Sequence, residues 1–410
     1  MSGTGSHSGC CFVLEDLPEQ GSAGYHTYNL AVVNALARHG RVTLVVCGPR
    51  LPGLWFNPWL VMGLRPDQVD VRFVNGMTLG THAFPVTAGA IARQAKYMLM
   101  GRHNTHGELS KVAIGRFLTN REAERVAAVV AATNCTHVFV DTIFRAGFLK
   151  HLTRGTLCKK VLVAHDVFHA RVDNLTSRGL AVSPEVSRTQ EAELVAQFDR
   201  VLAITAEDAA FFSAVRPGGV QVLNAPSTTA PAAGGPVAPT AAVLYIGSAA
   251  AHNVDGLRWF LREVWPTVVQ RVPGAELRVV GSIKDSFTAQ EQQAPGLRFF
   301  GRVDDLAQVA AGCALSVNPV LAGSGMKVKI CDYLALGLVC VTSGVGAAGF
   351  TQGVDAGVVI VEDDATGTQD AVVQLMLDHA GFEQRYTAAL TFSRRYSSSQ
   401  FDAQVDTVLT

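Results

Sequence analysis

Short apolar runs alternate with polar, glycine-containing stretches along most of the chain, and this pattern predicts the secondary structure. Apolar runs of about four to eight residues are typical of strands buried on both faces of a parallel sheet. In the first half of the chain we expect strands at 10–15, 41–47, 69–74, 137–141, 159–165, 200–204 and 220–223. Helical periodicity lies between several of them, including 27–38 and 120–132, the latter behind a Thr119 cap. The alternation predicts an α/β fold with doubly wound parallel sheets.

The pattern stops at 225–240 and then resumes. That segment, APSTTAPAAGGPVAPT, has no apolar period and is rich in Pro, Ala and Gly, so it is predicted to be a linker. A chain of 410 residues is too long for a single core. We therefore expect a first Rossmann-like domain at 1–224, a second at 241–390 and a final helical segment at 391–410.

The second domain contains the stretch that is most informative about function. An apolar strand at 314–318 is followed by a glycine loop and a predicted helix at 326–336. Because the first turn of a helix leaves N–H groups unpaired, such a loop is suited to bind an anion. Lys327 and Lys329 could hold a diphosphate there, and Asp332 could accept hydrogen bonds from a ribose. The alternative is an ordinary loop with solvated lysines.

A resemblance favours the first interpretation. The run GSGMKVKICDYLALG resembles the donor-site motif of family-4 glycosyltransferases, and 243–282 and 297–319 resemble other parts of the same domain. Six residues fall on the places of that motif: Gly323, Gly325, Lys327, Lys329, Asp332 and Gly337. The resemblance implies the GT-B fold, in which two Rossmann-like domains face each other across a cleft and a C-terminal helix crosses back to the first domain.

Two departures from the family pattern affect the predicted donor site. Many members have a Glu, seven residues and a second Glu, whereas this chain has Ser324 and Asp332 in those places. At the other donor loop, Gly247 is followed by Ser248, where many members have a basic residue. We still assign Gly247 and Ser248 to donor binding, and we expect Asn253 to cap a helix running through 270.

In the first domain, ligands are expected beyond the carboxyl ends of the strands. The loop and helix start that contain Gly21, Gly24, Tyr25, His26 and Asn29 resemble the glycine loop of the family that binds acceptor and can reach the donor diphosphate. An ordinary turn before a helix is the alternative.

His165 and Asp166 end a predicted strand of the same domain. The resemblance implies that the histidine contacts the transferred sugar, and we predict a catalytic role for both residues. His169 and Arg171 are nearby candidates for phosphate or acceptor binding. The alternative for His165 is a histidine that is part of the core.

The composition of the chain argues against a nucleic-acid partner, disulfide bonds and a metal site. The chain has 34 basic and 34 acidic residues, which does not indicate a nucleic-acid-binding surface. No CxxC pair or metal-ligand spacing is present, so the eight cysteines are expected to be reduced core thiols in a cytoplasmic protein. We expect no metal and no cofactor apart from the nucleotide-sugar donor. Asp304, Asp305, Asp363 and Asp364 are interpreted as helix caps or solvated acids.

The segment 51–63, LPGLWFNPWLVMG, is unusually aromatic. It is predicted to be a loop in which Trp55, Phe56 and Trp59 either pack against the protein or form a patch that contacts acceptor or the inner face of a membrane. Basic residues and methionines downstream could extend such a patch as an amphipathic stretch: Arg93, Lys96, Met98, Met100 and Arg102.

The resemblance to family 4 implies a retaining glycosyltransferase, and the lack of a metal-ligand pattern predicts that it is metal-independent. The donor would be a nucleotide sugar, and the acceptor a glycan, a lipid-linked molecule or a small molecule, as in polysaccharide biosynthesis. A catalytically weak GT-B protein that binds nucleotide sugar or glycan as a scaffold remains an alternative because of Ser324. A dinucleotide oxidoreductase fits the sheet but would need a GxGxxG motif, which is absent after Glu15.

Overall fold

In the computed structural model, the described residues are 9–20, 24–48, 51–86, 91, 112–152, 158–177, 179, 181–232, 235–322 and 325–410. The chain divides into two compact units. The first contains Met1–Asn224 and Asp402–Thr410, and the second contains Ala225–Phe401. The predicted linker at 225–240 has no helix or strand among its described residues and belongs to the second unit. No helix in the described part of the chain is long and apolar enough to cross a membrane.

The first unit is built on a parallel sheet. Its strands are β1 Cys10–Leu14, β2 Val42–Val46, β3 Val69–Phe73, β4 Gly76–Leu79, β5 His82–Pro85, β6 Val112–Ala113, β7 His137–Asp141, β8 Lys159–Ala164, β9 Val182–Ser183, β10 Arg200–Ala203 and β11 Val220–Val222. Seven of these described strands form the sheet, in the order β11-β10-β8-β7-β1-β2-β3. These seven are the strands predicted from the sequence, and each end agrees to within one residue.

The helices of this unit cover the sheet with their apolar faces. They are α1 Tyr25–Ala37, α2 Pro58–Met62, α3 Asn120–Ala131, α4 Phe168–Ser177, α5 Arg188–Val195 and α6 Ala206–Val215, with a 3-10 helix at Ile143–His151. In α3 the Thr119 and Glu122 side chains form a capping box, and the buried face comprises Ala123, Val126, Ala127 and Val130. The predicted Thr119 cap is therefore confirmed.

The second unit repeats this architecture with a smaller sheet. Its strands are β12 Ala242–Ile246, β13 Glu276–Val280, β14 Leu297–Gly301, β15 Cys313–Asn318, β16 Cys340–Thr342 and β17 Val359–Val361. All pairings are parallel, in the order β14-β13-β12-β15-β16-β17. The helices are α7 Ala251–Trp259, α8 Trp265–Arg271, α9 Leu306–Ala310, α10 Lys329–Ala335, α11 Thr351–Asp355, α12 Ala365–Leu377, α13 Phe382–Ser393 and α14 Ser398–Leu409. The last helix begins in the second unit and ends in the first.

Two predicted helices of the second unit differ from the structure. Asn253 does not cap the first of them, because α7 begins at Ala251 and Asn253 lies inside it. The helix predicted through 270 is interrupted by a wide π turn at Phe260–Val264. Pro266 explains the interruption, because it has no N–H to donate and its ring crowds the preceding turn.

The other difference is α10, which begins at Lys329 instead of residue 326. Gly325 has a positive φ of 69°, and the next turn is tighter than an α-helix, with Ile330 N donating to Lys327 O at 2.9 Å. Gly337, with φ 77°, ends the helix as expected.

In the aromatic segment near Trp55, two of the three rings pack against the protein, which was the first of the two alternatives, and part of the predicted loop is the short helix α2. Trp59 is buried in α2, and its Nε1 donates to Val69 O at 2.8 Å. Phe56 is also buried, and its ring packs edge-on against Phe73 at 5.8 Å between centroids. Trp55 remains 57% exposed.

Candidate functional site

In the first unit the strand order reverses between β1 and β7, and polar side chains meet beyond the carboxyl ends of these strands. Asp141 is the last residue of β7, and His165 directly follows β8. His165 Nε2 lies 2.8 Å from Asp141 Oδ1 and 3.1 Å from Asn29 Oδ1, and Asn29 Nδ2 donates to Asp141 Oδ1 at 3.2 Å. The structure therefore brings together His165 and Asn29, both predicted, with Asp141, which was not.

Asp141 is an anionic anchor for this cluster. Burial raises the pKa of its carboxyl, but the His165 hydrogen bond and charge, together with Arg145 and Asn29, outweigh burial and leave the pKa below its usual value. The next residue, Thr142, has φ 62° and ψ 163°, which is a strained conformation for a β-branched residue. Such strain is common at functional sites. A polar residue that ends an otherwise apolar strand was the available sequence signal for Asp141.

Two tyrosines of α1 surround the His165 ring. Tyr28 is buried, packs edge-on against the ring at 5.2 Å between centroids, and donates its hydroxyl to Leu223 O at 2.8 Å. Tyr25 is 6.4 Å from the His165 ring, stacks on His26 at 4.1 Å and donates its hydroxyl to Asp16 at 3.1 Å. Among the residues predicted to form the acceptor loop, Tyr25, His26 and Asn29 thus lie on the helix beside His165.

The loop before α1 is described only in part. Gly24 has φ 68° and occupies the N-cap position of α1, so a side chain there would be strained. Gly21 lies outside the described residues. Burial lowers the pKa of His26, which favours the neutral imidazole.

The residues that follow His165 are held by a buried carboxylate that the sequence did not reveal. Glu191 is fully buried; it accepts from Phe168 N at 2.9 Å and His169 N at 2.8 Å, and its Oε2 lies 2.7 Å from His169 Nδ1. Asp166, predicted as catalytic, is buried and paired with Arg171 at 3.2 Å. These contacts fix the start of α4 and the chain next to His165.

The second unit has its own reversal of strand order, between β12 and β15, and the predicted donor residues lie there. Lys329 Nζ, from the helix after β15, donates to Asn253 Oδ1 at 2.8 Å, from the helix after β12. Asn253 Nδ2 in turn donates to Ser248 Oγ at 3.1 Å. A Cβ on Gly247 would lie 2.6 Å from the Tyr245 ring, so glycine is required there by packing.

Lys327 precedes Lys329 in the sequence and Asp332 follows it, and both side chains form hydrogen bonds within the second unit. Lys327 is buried and its Nζ donates to Gly325 O at 2.7 Å. Gly323 and Ser324 lie outside the described residues. Within the described stretches, no three His, Cys, Asp or Glu side chains converge as a metal-binding group.

Asp332 is buried, and its Oδ1 accepts four hydrogen bonds from the segment at 227–229: from Ser227 Oγ at 2.9 Å, Thr228 N at 2.7 Å, Thr228 Oγ1 at 3.0 Å and Thr229 N at 3.0 Å. Burial raises the pKa of this carboxyl, while these hydrogen bonds oppose the rise. This oxygen therefore holds the start of the second unit, a role that the sequence did not predict. A ribose contact by Asp332 stays a prediction.

Three comparisons relate the chain to known proteins. Residues 240–378 match the sequence model of the family described as glycosyl transferases group 1. A protein of Klebsiella pneumoniae described as an uncharacterized 44.6 kDa protein in the cps region is 25% identical over 116 residues. That match spans 26% of this chain and 30% of the relative's length.

Solved structures resemble the chain over nearly its whole length. HepE of Anabaena in complex with UDP has a TM-score of 0.63 at 12% identity, covering 98% of this chain and 99% of HepE. Sucrose-phosphate synthase of Thermosynechococcus elongatus also has a TM-score of 0.63 at 12% identity, covering 98% of each chain. WaaG, a glycosyltransferase involved in lipopolysaccharide biosynthesis, has a TM-score of 0.58 at 13% identity, covering 98% of this chain and 99% of WaaG.

These identities are low, so the structural matches establish the fold. The fold is GT-B, and residues 240–378 of the second unit are similar in sequence to the glycosyl transferases group 1.

Proposed function

We propose that the chain transfers a sugar from a nucleotide-sugar donor to an acceptor hydroxyl, with retention of anomeric configuration and without a metal. The observation that carries this proposal is the pair of lysines, Lys327 and Lys329, next to the strand reversal of the second unit and inside the region that matches the family. UDP is the nucleotide that we favour, because HepE, of similar fold, was solved with UDP and with UDP-glucose.

In this proposal the diphosphate of the donor binds next to Lys327, Lys329 and Ser248, with Gly247 and Gly325 in the adjoining loops. When the bond between the sugar and the diphosphate breaks, negative charge develops on the leaving phosphate. Positioned ammonium groups stabilise that charge, which supports a mechanism without metal. His165, held by Asp141 and Asn29, orients the transferred sugar.

We propose a glycan or lipid-linked acceptor, by analogy with WaaG and with TarM of S. aureus, whose mutant was solved with fondaparinux, alpha-GlcNAc-glycerol and UDP. A lipid contact is supported by one face of the β4–β5 hairpin. Met77 pairs with Phe84 and Leu79 with His82 across the strands, and Trp55 stacks on His82 and Phe84 at 5.2 and 5.6 Å. Trp55, Met77 and Leu79 are each more than half exposed.

The proposal is tested by incubating the purified chain with a panel of nucleotide sugars and candidate acceptors, in buffer with and without EDTA. We expect release of nucleoside diphosphate that survives EDTA, and a product whose anomeric proton coupling matches that of the donor. Inversion would refute retention, and activity that is lost in EDTA and restored by manganese would refute metal independence. Tight nucleotide binding without turnover would favour the scaffold alternative.

A further inference from the structure

Lys329 is a cation that lies among neutral partners. Its Nζ donates to the Asn253 side-chain oxygen at 2.8 Å and lies 4.9 Å from the centre of the Tyr245 ring. No carboxylate in the described part of the chain forms an ion pair with it, although the protein has many such pairs elsewhere. A partly buried ammonium without a counter-charge is costly, and it favours loss of the proton.

The titratable groups around Lys329 do not supply the missing negative charge. Lys327, in the turn before α10, adds a second positive charge. Burial raises the pKa of the Cys340 thiol, on β16, to about 12 and also raises the pKa of the Tyr245 hydroxyl, on β12, so both are neutral. Asp332, on α10 itself, directs its Oδ1 to the segment at 227–229.

These surroundings have a direct effect on Lys329. Burial lowers its pKa to about 7; the Lys327 charge also lowers the pKa, and Cys340 opposes the change. In the protein without donor, Lys329 is therefore largely neutral at mildly alkaline pH.

We propose that the diphosphate of the donor supplies the anion that Lys329 lacks, so that donor binding is coupled to the uptake of a proton by this side chain. This inference rests on the proposed function, because it takes a nucleoside diphosphate as the ligand. It adds a property of the site. Binding of the donor causes Lys329 to take up a proton, and the protonated side chain then neutralises part of the negative charge on the leaving diphosphate.

Linkage fixes the sign of the pH dependence. Binding an anion beside Lys329 raises its pKa, so the protonated form has the higher affinity for donor. Below about pH 7 this side chain is already charged, and its protonation adds little pH dependence. Above that pH, donor affinity should fall as pH rises, until the pKa of the bound state is reached.

The test is titration calorimetry with UDP near pH 8, in two buffers that differ in ionisation enthalpy. The difference in observed heat gives the number of protons taken up per UDP bound. With a free-state pKa of about 7, we expect uptake of about nine-tenths of a proton. UDP itself is almost fully ionised at this pH, so the variants below can assign the proton to the protein.

Lys329→Arg is the decisive variant, because arginine keeps the positive charge and does not titrate. We expect UDP binding by this variant without proton uptake, while the matched control Lys327→Arg still takes up a proton. UDP binding without uptake by the wild type, or equal uptake by Lys329→Arg, would overturn the inference and leave the proposed donor site standing. Failure of the wild type to bind UDP would overturn both.

A second measurement covers the case in which Lys329→Arg does not fold or bind. The Kd of the wild type for UDP should rise by about threefold between pH 8 and pH 8.5, a range in which the phosphates of UDP are ionised and its uracil ring is still largely neutral. A Kd that stays constant over this range would contradict the coupling.

Discussion

Asp141→Asn removes the negative charge at the centre of the first-unit cluster while keeping the size of the side chain. The Asp141 carboxylate is buried and accepts hydrogen bonds from His165 at 2.8 Å and Asn29 at 3.2 Å. Because the amide is nearly isosteric, no cavity forms, and the loss is that of a hydrogen bond to a charged group. We expect the free energy of unfolding to fall by about 1.5–3 kcal/mol.

The same change should reduce turnover through His165. Without the carboxylate, the imidazole loses the partner that fixes its ring, and we expect turnover per folded molecule to fall at least tenfold, or about 1.4 kcal/mol in barrier. If the two side chains act as a unit, the double variant Asp141→Asn/His165→Ala should be little worse than the more damaged single variant.

The measurement combines thermal melting with the rate of nucleoside diphosphate release on the same preparations. Asp67→Asn is the matched control, because Asp67 is an exposed acid of the same unit with 68% of its side chain accessible. Loss of stability with unchanged turnover per folded molecule would show that His165 and Asp141 are core groups and would refute the functional assignment. Fully additive losses of activity would refute their action as a pair.

A pH series gives a further check. The pKa of Asp141 is lowered in the folded protein, so its contribution to stability is present above the usual Asp pKa and is lost as pH falls through the lowered value. The stability difference between wild type and Asp141→Asn should therefore persist to mildly acidic pH and shrink only below about pH 4.

The remaining predictions concern other parts of the chain. Lys327→Ala should weaken UDP binding by roughly 1.5–3 kcal/mol in calorimetry, whereas exposed Lys150→Ala should not. Trp59→Ala should cost about 3–5 kcal/mol of stability in denaturant unfolding, because this ring is buried; Trp55→Ala should instead leave stability nearly unchanged and reduce co-sedimentation with anionic lipid vesicles. Burial raises the pKa of Asp208 to about 6, so the folded state binds the proton of this carboxyl more tightly than the unfolded state does. The free energy of unfolding should therefore decrease as the pH rises from about 4 to about 6. Asp208→Asn should flatten that part of a curve of melting temperature against pH.

The central strands of the parallel sheets could be predicted from sequence because both of their faces are buried. A run such as β1, CCFVL, is apolar at every position, and burial alone sets its length. The β4–β5 hairpin was missed because it lies outside the parallel sheet and three of the four β4 residues are exposed, so its sequence has no continuous apolar signal. The starts of α8 and α10 were less predictable from the apolar pattern. They depend on the backbone conformation set by Pro266 and by the positive φ of Gly325, and neither residue changes that pattern.

The site could be predicted as far as strand ends identify it. His165 was found because it follows an apolar run, and polar residues at carboxyl ends of parallel strands converge. The partner of Asp332 could not be found this way, because Thr228 lies 104 residues earlier in a segment without periodicity. Glu191 was equally hidden, since a single acid on a short helix gives no sign that it is fully buried.

The two clusters have one feature in common that only the topology explains. In each unit, the helix after the strand at the reversal point carries an asparagine: Asn29 after β1 and Asn253 after β12. Asn29 bonds to Asp141, 112 residues away, and Asn253 to Lys329, 76 residues away; each partner ends or follows the neighbouring central strand. A side-chain amide both donates and accepts, so it can hold an anionic group in one unit and a cationic group in the other. This geometry accounts for opposite charges at equivalent places, where Asp141 anchors a histidine and Lys329 is suited to a phosphate.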